Sequence, residues 1–208
     1  SASPQRAIVT VTDYLFQSDG TSQFKEPPSH RRSSGTWLTP AQNQIVLPPN
    51  GDASVPVEVS VPAEGSLAGT FWSAVKVKTV ADAPSPQAGG VAMAVAVEYA
   101  IQVVTHIGST GVSTTEFLET ASEPGHLAID VLNRGTRAYR PLIRAQIFSA
   151  AGVLESDATF PRGLLYPTTS LRQIVPLPRL APGSYTLLLV ADVGTDDVQG
   201  AKFSFIVR

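Results

Sequence analysis

Hydrophobic residues in this chain recur at every second position, the period of half-buried strands and not of amphipathic helices. Val55, Val57, Val59 and Val61 alternate with Ser54, Pro56, Glu58 and Ser60, and Ile143, Ala145 and Ile147 alternate with Arg144, Gln146 and Phe148. The longest run is Val91, Met93, Val95, Val97, Tyr99, Ile101 and Val103, with Ala92, Ala94, Ala96, Glu98, Ala100 and Gln102 between them. Successive side chains on a strand point to opposite faces, so each such set covers one face of a sheet. The pattern predicts an all-β protein. Strands are expected at 7–16, near Trp37, and at 44–47, 54–61, 70–80 and 91–107, then at 114–120, 127–132, 142–148, 153–160, 171–177, 185–193 and 201–207.

Between the two groups lies Gly108-Ser109-Thr110-Gly111, small and flexible, which reads as a linker. About 100 residues with seven strands is the size of one immunoglobulin-like sandwich. The chain therefore divides into a first sandwich over 1–107, the linker over 108–111 and a second sandwich over 112–208. A loose internal repeat agrees. Leu47-Pro48 precedes a turn, a strand and Gly69-Thr70-Phe71, and Tyr166-Pro167 precedes a turn, a strand and Gly183-Ser184-Tyr185. An aromatic opening a late strand after such a turn resembles the tyrosine corner of sandwiches.

Composition narrows the function classes. The 208 residues carry 15 basic and 17 acidic side chains, a net charge of −2, which lacks the basic footprint of a nucleic-acid-binding domain. There is no cysteine, which excludes disulfides, thiolate metal sites and a cysteine nucleophile. The longest strongly apolar stretch, 91–97, is far below the roughly 20 residues of a membrane span. No charged and apolar leader opens the chain, so any export signal is expected to have been removed. The 17 prolines and 16 glycines mark turns between strands.

Motifs for catalysis are missing. His30, His106 and His126 stand in unrelated contexts, and no H-E-x-x-H, G-x-S-x-G, P-loop or G-x-G-x-x-G occurs. Asp192, Asp196 and Asp197 cluster after a strand at a spacing that matches no calcium loop, and they read as a solvated turn. No enzyme, cofactor or metal site is expected. The polar stretch 17–36, with Lys25, His30, Arg31 and Arg32, reads as a solvated loop. Arg140, Arg144 and Gln146 share a strand face suited to anionic groups, unless Asp130 or Glu155 neutralises it. Trp72 falls on a face with Ala74, Lys76 and Lys78, where it is either a protein-contact hot spot or covered by the loop carrying Trp37. The 91–107 strand is far longer than usual. It either packs in the core or offers an edge to a partner strand through Val91, Met93, Val95, Val97, Tyr99 and Ile101.

Several segments carry a family likeness. Trp37-Leu38-Thr39-Pro40, Ile45-Val46-Leu47-Pro48-Pro49-Asn50-Gly51, the strand from Val55 to Val61 and Gly69-Thr70-Phe71-Trp72-Ser73 resemble bacterial envelope proteins with a fimbrial-chaperone-like first domain. Asp130-Val131-Leu132-Asn133-Arg134-Gly135, Leu180-Ala181-Pro182-Gly183-Ser184-Tyr185 and Val190-Ala191-Asp192-Val193-Gly194 are similar to the second domain of that group. Its relatives include periplasmic pilus chaperones and Gram-positive proteins that bind WxL surface proteins. The resemblance implies two immunoglobulin-like domains, export to the periplasm or cell surface, and a non-enzymatic binding or assembly role. Pilus chaperones anchor a client's terminal carboxylate with an arginine and a lysine. The corresponding strand end here, Gln102-Val103-Val104-Thr105-His106, has no lysine, so no anchor is carried over. In these families two strands precede the one at 7–16, so the first sandwich is expected to be two strands short: either the chain is a processed or truncated product, or a neighbouring protein subunit donates a strand. A surface glycan or peptidoglycan is the alternative ligand.

Overall fold

The computed structural model describes residues 4–63, 65–80, 96–123, 125–161, 163–194 and 198–208. Val91, Met93, Val95, Asp196 and Asp197 lie outside them. The described residues form strands β1 (Gln5–Phe16), β2 (Ser22–Lys25), β3 (Leu38–Pro40), β4 (Gln44–Leu47), β5 (Val57–Val59), β6 (Gly69–Val80) and β7 (Glu98–Ile107). They continue with β8 (Thr115–Glu123), β9 (His126–Asn133), β10 (Leu142–Ser149), β11 (Leu154–Phe160), β12 (Ser170–Pro176), β13 (Gly183–Asp192) and β14 (Val198–Val207). A single 3-10 turn, Gly35–Trp37, interrupts them. The protein is all β, in tandem sandwiches.

Two compact units partition the chain. Ser1–Tyr14, Gln23–Ser66 and Phe71–Thr105 make the first, and Leu15–Ser22, Leu67–Thr70 and His106–Arg208 make the second.

In the second unit a sheet ordered β11-β10-β13-β14 faces one ordered β12-β9-β8. All seven strands stand where alternation predicts them, with ends shifted by a few residues. Ile143, Ala145 and Ile147 of β10 and Leu187, Leu189 and Ala191 of β13 turn inward against Leu127, Ile129 and Val131 of β9. This is the principal core, closed by Phe117, Val175, Tyr185 and Phe205. The Tyr185 hydroxyl donates to the Ala181 carbonyl at 2.9 Å, so this aromatic pins its own turn as a tyrosine corner does.

The first unit is built differently. One sheet runs β2-β1-β6-β7, with β4 also on β1, while β3 and β5 make a two-stranded sheet of their own. Antiparallel pairing sets Val9 opposite Val77 and Val11 opposite Val75, putting these valines on the inward face and Thr10 and Lys76 on the outer one. Fully buried apolar side chains in the cluster are only Val9, Leu38 and Val75. Val11, Ile45, Val55, Val57, Val77 and Val103 are half-buried around them.

Two expectations need correction here. The stretch 54–61 forms strand only over Val57–Val59, because Pro56 and Pro62 remove ladder donors on either side. The polar stretch 17–36 is not one solvated loop. It contains β2, tied to β1 by the Thr12 hydroxyl donating to the Lys25 carbonyl at 3.0 Å.

Candidate partner-binding edge of the first unit

The last strand of the five-stranded sheet, β7, has β6 on one side and, among the described residues, no strand on the other. Just before it, the Val97 carbonyl accepts the Thr79 N–H at 2.9 Å, and the Val97 N–H donates to the Thr79 hydroxyl at 2.8 Å. Backbone groups alternate in direction along an antiparallel strand. Those of Tyr99 and Ile101 therefore point to β6, and those of Glu98 and Ala100 point away from it.

Side chains alternate at right angles to that. Ile101 and Val103 face inward with Val9, Val75 and Val77 and with Ile45 and Leu47 of β4 in the same sheet, and Val55 and Val57 lie across from them at β5. Together they line a groove of about 370 Å³ in which every side chain is aliphatic. The edge residues of this face are still in water: Val97 is 41 % exposed, Tyr99 63 % and Ile101 52 %. The strand is thus an edge with apolar side chains beside an incompletely filled interior.

Trp72 is not exposed. Its relative exposure is 1 %, and its indole N–H donates to the Tyr14 carbonyl at 2.7 Å. The cover is the loop between β2 and β3 that carries Trp37, although Trp37 itself packs on Phe71 with ring centroids 4.8 Å apart. His30 lies over Trp72 instead, stacked at 4.5 Å. The Trp72 N–H donates to the Arg32 carbonyl at 3.0 Å, which fastens the same loop. A tryptophan held this way offers no face to a partner or a sugar.

Asp13 explains why that loop stays down. It follows Val9 and Val11 on the inward face of β1, a place where the alternation calls for an apolar residue, and it is buried. Its carboxylate accepts the Ser29 N–H at 2.6 Å, the Ser33 hydroxyl at 2.7 Å and the Ser73 hydroxyl at 2.6 Å. Burial pushes Asp13 up, but these hydrogen bonds outweigh it and hold the carboxyl below its usual 3.8. Burial also holds His30 below its usual 6.5, against the pull of the nearby Asp13 charge. A neutral imidazole accepting the Arg32 N–H on Nδ1 at 3.3 Å suits that position.

The arginine-rich face does not form as expected. Arg140 precedes β10, separated from it by Pro141, so it does not share a strand face with Arg144. Arg144 is engaged by Asp157 on β11, with Nε to Oδ1 at 2.7 Å and a second contact through Nη2. Gln146 donates to the same carboxylate at 3.1 Å. The neutralising acid is neither Asp130 nor Glu155. Asp130 pairs with Arg172, at 2.8 and 3.2 Å.

Of the other histidines, His106 Nδ1 lies 2.8 Å from the Thr70 hydroxyl, and His126 lies 3.3 Å from Glu123. Among the described residues no group of acidic and histidine side chains could hold a metal ion. Among the same described residues no helix is long and apolar enough to cross a membrane.

Comparison with known proteins adds to this geometry. No family model and no curated protein matches the chain. Among solved structures, a chain from a chaperone–tip adhesin complex, described as vital for synergistic activation of CFA/I fimbriae biogenesis, superimposes with a TM-score of 0.53. The match covers 98 % of this chain and 86 % of that one at 13 % sequence identity. The fold is fimbrial-chaperone-like. At that identity the likeness concerns architecture, and function must be argued from the edge strand itself.

Proposed function

We propose that this protein is an exported, non-enzymatic binding module of the bacterial envelope that engages other proteins by strand pairing along β7. It acts as a chaperone-like factor or as a structural subunit of a surface assembly. The supporting observation is the β7 edge: outward-directed backbone groups at Glu98 and Ala100, beside exposed Val97, Tyr99 and Ile101 over the aliphatic groove. An added strand satisfies the backbone groups and removes the apolar side chains from water. Such edges are otherwise a route to unwanted aggregation, which proteins usually block. Fully burying side chains of this size is worth about 1.5–3 kcal/mol each, so covering the exposed part of three supplies several kcal/mol toward the cost of association. The likeness to a chain from a chaperone–adhesin complex agrees with protein partners and with export.

Ala100→Pro tests this directly. Proline removes an outward backbone donor and is tolerated on an edge strand, so the fold survives. In affinity capture from an envelope extract, the wild type is expected to retain a partner that the variant loses. Equal capture by a variant with unchanged circular dichroism and melting refutes pairing at this edge. A client bound transiently in the periplasm marks a chaperone, and recovery in sheared surface material marks a subunit.

A further inference from the structure

The loop over Trp72, residues 26–37, closes on two polar atoms that find no partner. Ser34 Oγ and His30 Nε2 are both buried without a hydrogen bond among the described residues. Buried polar atoms in folded proteins are nearly always paired, so each of these loses hydration when the loop closes and gains nothing in return. A hydroxyl does not titrate at ordinary pH, but an imidazole does, and the His30 side chain is only 10 % exposed.

The surroundings of His30 suit its neutral form. Nδ1 accepts the Arg32 N–H at 3.3 Å, so the single ring proton sits on Nε2. Nε2 lies 3.9 Å from Asp13 Oδ1, beyond hydrogen-bond reach, and that oxygen already accepts the Ser33 and Ser73 hydroxyls. A second ring proton has to go on Nδ1, where it faces the Arg32 N–H, donor against donor. The charged groups around the ring are Asp13 of β1 and, on its own loop, Arg31 and Arg32. Trp72 and Ser73 of β6 do not titrate. Burial disfavours the imidazolium more strongly than the Asp13 charge favours it, and the ring is held below its usual 6.5.

We infer that His30 is an acid-released latch: its neutral ring keeps the loop closed over Trp72, and its protonation in mild acid opens the loop while the sheet beneath stays paired. In the open loop the imidazole is in water and the clash with the Arg32 N–H is gone. Closure is fully favoured above 6.5 and weakens as pH falls from there toward the lower value of the folded histidine. One proton is taken up on opening, so the open fraction rises by up to about tenfold per pH unit across that window. Asp13 titrates below 3.8, so its hydrogen bonds still favour the closed loop there, and the open form stays a minority that gives solvent access to Trp72.

Amide hydrogen exchange of the full chain, followed by NMR from about pH 7.5 to 5, tests this. The reporters are the Ser29 N–H, bonded to Asp13, and the Trp72 N–H, bonded to the Arg32 carbonyl. Protection factors divide out the chemical pH dependence of exchange. At both reporters they are expected to fall by up to about tenfold per pH unit below 6.5, and at the other amides of the β1–β6 ladder to stay constant. His30→Phe keeps a ring on Trp72, and His30→Asn keeps an acceptor for the Arg32 N–H. Neither titrates, and both are expected to give flat profiles. Because pH dependence is compared within each variant, a loop loosened by the substitution itself does not mimic the result. His106→Gln and His126→Gln, in the second unit, are expected to keep the wild-type profile. Constant wild-type protection across the range overturns the latch. So does an undiminished fall in both His30 variants, which assigns the proton to another group, or a parallel fall along the whole β1–β6 ladder, which means that the sheet itself opens.

Discussion

Asp13→Ala removes the carboxylate that ties the loop carrying His30 to the first sheet. Three donors converge on it: the Ser29 N–H and the Ser33 and Ser73 hydroxyls. Ser73 has a second acceptor in reach, the Trp72 carbonyl at 2.7 Å, so its hydroxyl can turn. The Ser29 N–H and the Ser33 hydroxyl lose the acceptor recorded for them, and a hydrogen bond to a charged group is worth about 1.5–3 kcal/mol. The expected loss is about 3–6 kcal/mol, a large part of the roughly 5–15 kcal/mol that holds a domain folded. Urea unfolding read by tryptophan fluorescence measures it, in a Trp37→Phe background that leaves Trp72 as the reporter. With a slope near 2 kcal/mol/M, the midpoint falls by roughly 1.5 M or more. Trp72, at 1 % exposure under His30, is also expected to become accessible to acrylamide in the folded variant. The effect depends on pH. The carboxyl of Asp13 is held below 3.8 in the folded chain, so its contribution is fully present above that value. It is lost as pH falls through the depressed folded pKa. Wild type and variant should therefore converge in strong acid. An unchanged midpoint with Trp72 still protected would show that the hydrogen bonds to Asp13 do not hold the loop.

Two further outcomes are expected. Arg172→Ala strands the buried Asp130 carboxylate and lowers the urea midpoint of the second unit, whereas Arg144→Ala, which breaks an exposed pair with Asp157, leaves it within error. Equal effects of the two would contradict the distinction between buried and exposed pairs. Tyr185→Phe removes the hydroxyl bond to the Ala181 carbonyl and costs about 0.5–1.5 kcal/mol in the same assay, with secondary structure unchanged.

The second sandwich was readable almost strand by strand, because its two sheets close on each other. Each inward position there meets an apolar neighbour, as Ile143, Ala145 and Ile147 meet the residues of β9 and β13. Alternation in sequence then translates directly into burial. In the first unit the same rule worked for β1 and β6 and misled elsewhere. Alternation puts Trp72 on one face of β6 with Ala74 and Lys76, but a face is not an exposure, and a loop 39 to 42 residues earlier in the chain covers it. The signal for that cover was Asp13, a carboxylate breaking the inward set Val9, Val11. It has meaning only when Ser29, Ser33 and Ser73 are known to converge on it. The short strand β2 was missed because its Ser-Gln-Phe-Lys sequence has no apolar face of its own; β1 supplies its pairing.

Among the binding candidates, Val97, Tyr99 and Ile101 could be placed on one strand face from sequence, since a period of two needs only local geometry. Their exposure depended on the strand order, which puts β7 at an edge beside a groove that the opposite layer leaves partly open. The arginines illustrate the same division. Their number and spacing suggested an anionic ligand, but Asp157 and Asp130 are brought to Arg144 and Arg172 by strand pairing, at separations of 13 and 42 residues. The sequence by itself determined the all-β class, the tandem arrangement and the faces of most strands, because these follow from side-chain alternation and the placement of proline and glycine. Only the tertiary structure decided which faces are covered, which charges are paired and which strand ends the sheet. Those properties belong to contacts between segments distant in the chain, and local periodicity carries no record of them.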